Sequence, residues 1–161
     1  MNPVTGTKRA VDAWLDEYGE SHRDATNEAI HWVCIPLIVL GLLGLLWPLR
    51  IPGLAELAIG NAATLLVALA TIYYLRLSPP LALGMLVLAS ALLVAVASVE
   101  AAFAVPLWQP SAAVLVVAWI GQFIGHRIEG KKPSFLKDVQ FLLIGPLWLL
   151  AAVYRRLGIR Y

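Results

Sequence analysis

The stretch GESHRDATNEAIHWVCIPL, residues 19–37, passes from polar residues into apolar ones, and one histidine lies on each side of the join. These histidines, His22 and His31, are two of only 3 in the chain. The RDAT segment between them is typical of a turn in which Asp24 or Thr26 caps the start of a helix. We therefore expect one helix to end near His22 and a second, more apolar helix to begin shortly after it.

Long uncharged blocks follow this join. Of the 161 residues, 60% are hydrophobic and 14% are charged, whereas soluble domains average about 45–50% and about 25%. A helix needs about 20 apolar residues to cross a bilayer, so four blocks are long enough, and a fifth is marginal and contains Pro146. The predicted fold is all-α: a polytopic membrane helical bundle of about four transmembrane helices, forming one domain over residues 1–161. The blocks lie at residues 32–49, 57–75, 77–99, 101–125 and 139–154.

The positive charges predict the orientation of this bundle. If the N-terminus is cytoplasmic and the chain crosses four times, all of the 12 Lys and Arg residues except Arg50 lie on the cytoplasmic side. The positive-inside rule favours this arrangement, with both termini cytoplasmic. A fifth crossing would put the arginines of the tail outside, so we expect residues 139–154 to form a re-entrant or interfacial segment that Pro146 breaks into two halves.

The first helix is expected to be amphipathic and to lie outside the membrane spans. Residues 8–22 place apolar side chains, among them Trp14, Leu15 and Tyr18, on one face and acidic side chains on another. Membrane-surface helices usually have basic polar faces. The acidic face of this helix therefore favours docking on protein rather than on anionic lipid.

The third histidine, His126, lies at the end of the fourth block in the segment WIGQFIGHRIEG. In the predicted topology this end is cytoplasmic too, so all three histidines fall at one membrane face. Glu129 follows His126 by three residues, on the same helical face if the helix continues. Imidazole suits Zn, Cu, Fe and Ni, and a histidine/carboxylate set with open positions suits non-haem Fe(II) oxygenases. We therefore predict a metal site formed by His22, His31 and His126, against the alternative of separate hydrogen-bonding histidines.

Two segments resemble the signatures of a known family. YGESHRDATNEAIHWVCIP, residues 18–36, resembles the first signature of the Mpo1-like family: a Tyr, a His four residues later, an Asn, a His four residues after that, and a Pro. WIGQFIGHRIEGKKP, residues 119–133, resembles the second. Gln140 and the GP pair at 145–146 also fit, so the resemblance covers nearly the whole chain.

This resemblance implies an enzyme. It implies an Fe(II)-dependent dioxygenase that performs α-oxidation of 2-hydroxy fatty acids to acids one carbon shorter and consumes O2. The expected partners are thus a fatty-acid-like substrate, O2 and the lipid bilayer, in either a bacterial inner membrane or the endoplasmic reticulum. No basic cluster with interleaved aromatic residues indicates a nucleic-acid partner.

The resemblance also implies roles for individual residues. His22, His31 and His126 match the metal-binding histidines of the motif. Asn27 and Glu129 match its Asn and its acid, and both are expected to act in catalysis. Glu129 is expected to act either as a metal ligand or by holding an imidazole through its other nitrogen.

Four further residues are candidates for binding the substrate. Arg23 and Arg127 each follow a motif histidine and could pair with the substrate carboxylate. Their alternative role as topological anchors is favoured over this one. Tyr18, from the first signature, and Gln122, four residues before His126, complete the expected substrate-binding set.

Two other functions remain open. A zinc-dependent membrane hydrolase would use the same histidines to activate water, with Glu129 as the base. A non-enzymatic membrane scaffold or transporter would need no metal, although no inverted repeat or pair of broken helices supports transport.

Overall fold

The computed structural model describes residues 8–103, 105–134 and 138–161, and these contain helices but no β-strand. The predicted all-α class is therefore confirmed. Three helices, the second, fourth and fifth, are long and apolar enough to cross a membrane, and the third is a shorter apolar helix. In chain order the helices are α1 (Ala10–Gly19), α2 (Ala25–Leu46), α3 (Ala62–Leu77), α4 (Pro79–Ala102), α5 (Trp108–Glu129) and α6 (Phe141–Arg156).

A short turn separates α1 from α2. The Asp24 carboxylate accepts hydrogen bonds from the backbone N–H groups of Thr26, at 2.8 Å, and Asn27, at 3.1 Å. An acceptor at this position satisfies backbone donors that have no partner within the helix. Of the two predicted capping residues, Asp24 is therefore the one that fixes where α2 begins.

The α2 and α5 helices pack antiparallel along their length because glycines let their backbones approach closely. A Cβ atom added at Gly44 of α2 would lie 2.1 Å from Ser111 Oγ of α5. At the other end, one added at Gly125 of α5 would lie 2.4 Å from Asn27 Oδ1 of α2. Small residues at helix contacts are typical of membrane bundles, where lipid supplies no hydrophobic drive for helices to associate. This packing brings the start of α2 to the end of α5.

The α1 helix docks on α6, as its acidic polar face predicts. Val11, Leu15 and Tyr18 of α1 are buried in one cluster with the apolar side of α6. The ring of Trp14 meets Phe141 edge-on, with centroids 5.3 Å apart. This contact fixes the end of α1, and with it the turn that carries His22.

The prediction that Pro146 breaks residues 139–154 into two halves is wrong. The α6 helix is continuous through Pro146. A proline inside a helix removes one backbone hydrogen bond, but buried residues on both sides of it, Ile144 and Leu147 among them, anchor α6 against its neighbours. Packing thus outweighs the local cost.

The second apolar block also folds differently from the prediction. Residues 57–61 stay outside the helix, because Arg50 and Asn61 form an isolated antiparallel bridge and Asn61 caps α3 by accepting from Thr64 N at 3.1 Å. Asn61 and Thr64 thus pair at the start of α3. With 16 residues, α3 is about 24 Å long, shorter than the about 30 Å of a bilayer core.

Candidate metal centre

Three histidine side chains meet where the α1–α2 turn contacts the end of α5. His22 lies in the turn, His31 in the second turn of α2, and His126 in the last turn of α5. One ring nitrogen from each lies within 4.8 Å of the others, and the three residues are 4%, 0% and 5% exposed. The predicted convergence of the three histidines is confirmed.

Backbone carbonyls fix the tautomers of two of these rings. His22 Nδ1 lies 2.6 Å from the Tyr18 carbonyl, and His31 Nδ1 lies 2.9 Å from the Asn27 carbonyl. Because a carbonyl only accepts hydrogen bonds, each Nδ1 must carry the proton, and in a neutral ring Nε2 then keeps a free lone pair. This is the arrangement that orients histidine ligands in metal sites.

The free nitrogens point toward one another. His31 Nε2 and His126 Nε2 are 3.3 Å apart. Among the described residues, His22 Nε2 and His126 Nδ1 are buried and have no hydrogen-bond partner. Buried polar atoms rarely lack partners in native proteins. A cation bound by one nitrogen of each ring would satisfy His22 Nε2, and a set of imidazole donors suits Zn, Cu, Fe or Ni. The three residues therefore fit a transition-metal ion.

The environment of His22 keeps its ring neutral. Burial lowers the pKa of His22 to about 3, and the hydrogen bond to the Tyr18 carbonyl only partly offsets this effect. The neighbouring His31 and His126 further disfavour the charged form. A metal ligand must be unprotonated, so at neutral pH this imidazole needs to lose no proton before it binds.

Glu129 and Asn27 fasten the α1–α2 turn to α5. The Glu129 carboxylate accepts hydrogen bonds from the backbone N–H groups of Arg23, at 3.0 and 3.1 Å, and Asp24, at 2.8 Å. It accepts a further one from Asn27 Nδ2 at 3.1 Å, and the same amide donates to the Ser21 carbonyl at 3.1 Å. Both side chains thus hold the chain on either side of His22. This geometry gives Glu129 a positioning role.

Two other predicted residues lie beside the histidines. The Tyr18 ring stacks on the His22 ring with centroids 4.1 Å apart and an interplanar angle of 13°. Burial raises the pKa of the Tyr18 hydroxyl, so the group stays protonated. Gln122 is buried, and its Nε2 has no hydrogen-bond partner among the described residues. Tyr18, Gln122 and His126 line one small cavity of about 50 Å³, which we call the head cavity.

Comparison with known families agrees with this geometry. The family model described as "2-hydroxy-palmitic acid dioxygenase Mpo1-like" matches residues 9–157. The chain belongs to the Mpo1-like family. The match runs from the start of α1 to the end of α6 and includes all three histidines. Neither the curated proteins nor the solved structures give a match to this chain.

In this Mpo1-like chain the two arginines that are candidates for binding the substrate carboxylate lie outside the buried histidine cluster. Arg23 and Arg127 are both exposed, and neither guanidinium forms an ion pair or hydrogen bond with a described residue. Arg23 lines a separate cavity with Asp16, Trp148 and other residues, and it is its backbone N–H that contacts Glu129. Neither arginine lines the head cavity, which favours the anchoring role over carboxylate binding.

Trp148 of α6 is a neighbour of the site that the sequence did not assign to it. Its ring centroid lies 5.5 Å from that of His22 and 5.6 Å from that of Tyr18. The continuous α6, which packs against α1, brings this ring to His22. Pro146 predicted a break in this helix, so the sequence did not predict the contact.

Proposed function

We propose that this chain is an Fe(II)-dependent dioxygenase that shortens 2-hydroxy fatty acids by one carbon. The observation that carries the proposal is the buried cluster of His22, His31 and His126, two of which have their Nε2 lone pairs freed by backbone carbonyls. Membership of a family described by a 2-hydroxy-palmitic acid dioxygenase supports the reaction class. The long apolar helices support a substrate drawn from the bilayer.

The proposed reaction balances without a further reductant. The 2-hydroxy acid RCH(OH)COOH and O2 give RCOOH, CO2 and H2O. The bond between the carboxyl carbon and C2 breaks, the two carbons together lose four electrons, and O2 accepts them. A 2-hydroxy acid therefore supplies every electron that the reduction of O2 requires.

The protein would contribute the ligands and their orientation. His22, His31 and His126 would hold the iron, which when bound supplies the activation of O2. The carbonyls of Tyr18 and Asn27 keep the proton on Nδ1 of their histidine partners. Three neutral imidazoles leave the charge of a divalent ion uncompensated, which favours an anionic substrate. Burial of the cluster excludes bulk water and strengthens that attraction.

The zinc hydrolase is less well supported, because its base is already engaged. In that mechanism Glu129 would take a proton from water. The Glu129 carboxylate instead accepts hydrogen bonds from two backbone N–H groups and the Asn27 amide. Asn27 would likewise act on the reaction through the turn that carries His22.

We place the proposed site at the cytoplasmic face of the membrane, since all the cations except Arg50 then lie inside. In this orientation the α1–α2 turn and the end of α5 face the cytoplasm. The head group of a bilayer-derived acid would lie at that depth, next to the histidines.

Metal analysis and oxygen uptake test the proposed function. The protein is purified without oxygen in a mild detergent and its metals are measured by mass spectrometry. We expect iron near one per chain, O2 uptake when a 2-hydroxy fatty acid is added, and a product one carbon shorter. Stoichiometric zinc without O2 uptake would point to the hydrolase, and a metal-free protein would point to a scaffold.

A further inference from the structure

An apolar cavity inside the bundle lies next to the head cavity. Its volume is about 270 Å³, and it is lined by residues of α2, α3, α4, α5 and α6. We call it the tail cavity. Five residues line both cavities, so the two are direct neighbours. They are Ile38, Val39, Trp119, Leu142 and Pro146.

The two cavities differ in chemistry. The head cavity has Tyr18, Gln122 and His126 in its wall, whereas the wall of the tail cavity is apolar apart from the Trp119 ring, which both cavities share, and the hydroxyl-bearing Thr71 and Tyr74. The hydroxyls of these two residues donate to the carbonyls of Val67 and Leu143, so they are already paired. A ligand that fills both cavities must have one polar end and one long apolar end.

We infer that the tail cavity receives the alkyl chain of the substrate and that its closed end limits the chain length. This inference rests on the proposed function, because it assumes that the acid group lies at the histidines. It specifies which helices hold the tail and which residues set the limit.

The closed end is formed by a second buried cluster. Leu43, which lines the tail cavity, is 1% exposed and packs with Trp47, Ala63, Val96 and Leu107. Leu43 lies twelve residues after His31 on α2, a rise of about 18 Å. A fully extended chain of single bonds advances about 1.2 Å per bond, as the polypeptide backbone does. Roughly 15 bonds therefore span the distance from the histidines to Leu43.

Ala89 of α4 lies in the wall partway along this path. The hydrogen bond from Trp47 Nε1 to Glu100 Oε2, at 2.7 Å, places the ends of α2 and α4 at one level. Counted back toward the histidines, Leu43 lies four residues before Trp47 on α2, about 6 Å from that level. Ala89 lies eleven residues before Glu100 on α4, about 16 Å from it. Ala89 is thus about 10 Å nearer to the histidines than Leu43. A large side chain at position 89 would block the deeper part of the cavity.

Steric fit should govern chain length, because lipid is as apolar as the cavity wall. A tail that leaves the bilayer for the cavity gains little hydrophobic free energy, but a tail longer than the cavity must displace packed side chains. Overpacking of this kind weakens binding roughly tenfold or more. We therefore expect a sharp upper limit of chain length instead of a steady rise in affinity.

Competition binding without oxygen tests this inference. Iron-loaded protein in nanodiscs binds a radiolabelled short 2-hydroxy acid, and unlabelled acids of increasing length compete with it at known mole fractions in the bilayer. The wild type should accept chains up to the limit and bind longer ones roughly tenfold more weakly. Ala89→Phe should move the limit to shorter chains. Val67→Phe, in the part of the wall that α3 contributes beside the closed end, should move it less.

Ala91→Phe is the matched control, since it makes the same change on the exposed side of α4 and should leave the limit unchanged. An Ala89→Phe protein with the wild-type limit would overturn the inference, as would a wild type without any limit, whose tails would then lie in the bilayer. O2 uptake is measured in parallel. A length limit without O2 uptake would refute the dioxygenase reaction but support the role of the tail cavity. O2 uptake without a length limit would support the dioxygenase reaction and refute the role of the tail cavity.

Discussion

The Nε2 atoms of His31 and His126 lie 3.3 Å apart, although 95 residues separate the two histidines along the chain. Both rings are buried where α2 and α5 meet. The hydrogen bond from His31 Nδ1 to the Asn27 carbonyl leaves a lone pair on His31 Nε2. Two such nitrogens at this distance need either a shared proton or a shared cation, and the free Nε2 of His22 beside them favours the cation.

Replacing any one of the three histidines by alanine should remove the bound metal. Changing a group that only orients a ligand typically lowers metal affinity by about ten- to a hundredfold, and loss of a direct ligand should cost more. Mass spectrometry of the purified variants measures the metal per chain, and circular dichroism checks that the helices remain. Thr26→Ala, an exposed residue at the start of α2 between His22 and His31, is the control and should keep its metal. If an alanine variant kept its full metal content, the histidine that it replaces would not be a ligand.

Gly125→Ala should disturb the site from the α5 side. The added Cβ would lie 2.4 Å from Asn27 Oδ1 and 3.5 Å from His31 Cε1, so either the Asn27 side chain must leave its hydrogen bonds or α2 and α5 must separate. Overpacking of this kind costs about 1–3 kcal/mol. We expect a lower unfolding temperature and weaker metal binding together.

Gly19→Ala provides the comparison for that variant. An added Cβ at Gly19 meets only Trp148 Nε1, at 3.5 Å, which is ordinary contact. Removing a glycine from a helix adds up to about 1 kcal/mol of stability. If Gly125→Ala were as stable as Gly19→Ala and bound metal as tightly as the wild type, close helix packing would not matter to the site.

The sequence predicted the parts of this structure that depend on local pattern. Apolar blocks predicted the long helices, the RDAT segment predicted the turn, and the charge distribution placed His22, His31 and His126 at one face. The continuous α6 and the late start of α3 depend on packing and on the Arg50–Asn61 bridge. Such long-range contacts leave no periodic signal in a single sequence, so Trp148 was not expected at the site.

The membrane topology remains a prediction that labelling can test. In a Cys34→Ala background, a cysteine at position 160 should react with an impermeant maleimide only from the cytoplasmic side, because both termini are expected inside. A cysteine at Ala55, in the exposed segment next to Arg50, should react only from the other side. Labelling of position 160 from the outer face alone would require an odd number of crossings.

Glu129→Gln separates a metal ligand from a positioning residue. The Glu129 carboxylate accepts hydrogen bonds from the N–H groups of Arg23 and Asp24 and from the Asn27 amide. A glutamine would turn one acceptor oxygen into an NH2 donor and set it against these donors. The turn that carries His22 should then loosen, although all three imidazoles remain.

We therefore expect Glu129→Gln to bind metal about ten- to a hundredfold more weakly but to reach full occupancy when metal is in excess. Titration with Fe(II) under nitrogen measures both quantities. Asn27→Asp should weaken binding too, because a second carboxylate would face Glu129 and could no longer donate to it. If Glu129→Gln failed to reach full occupancy at any metal concentration while remaining folded, Glu129 would be a ligand, and the positioning role would be wrong.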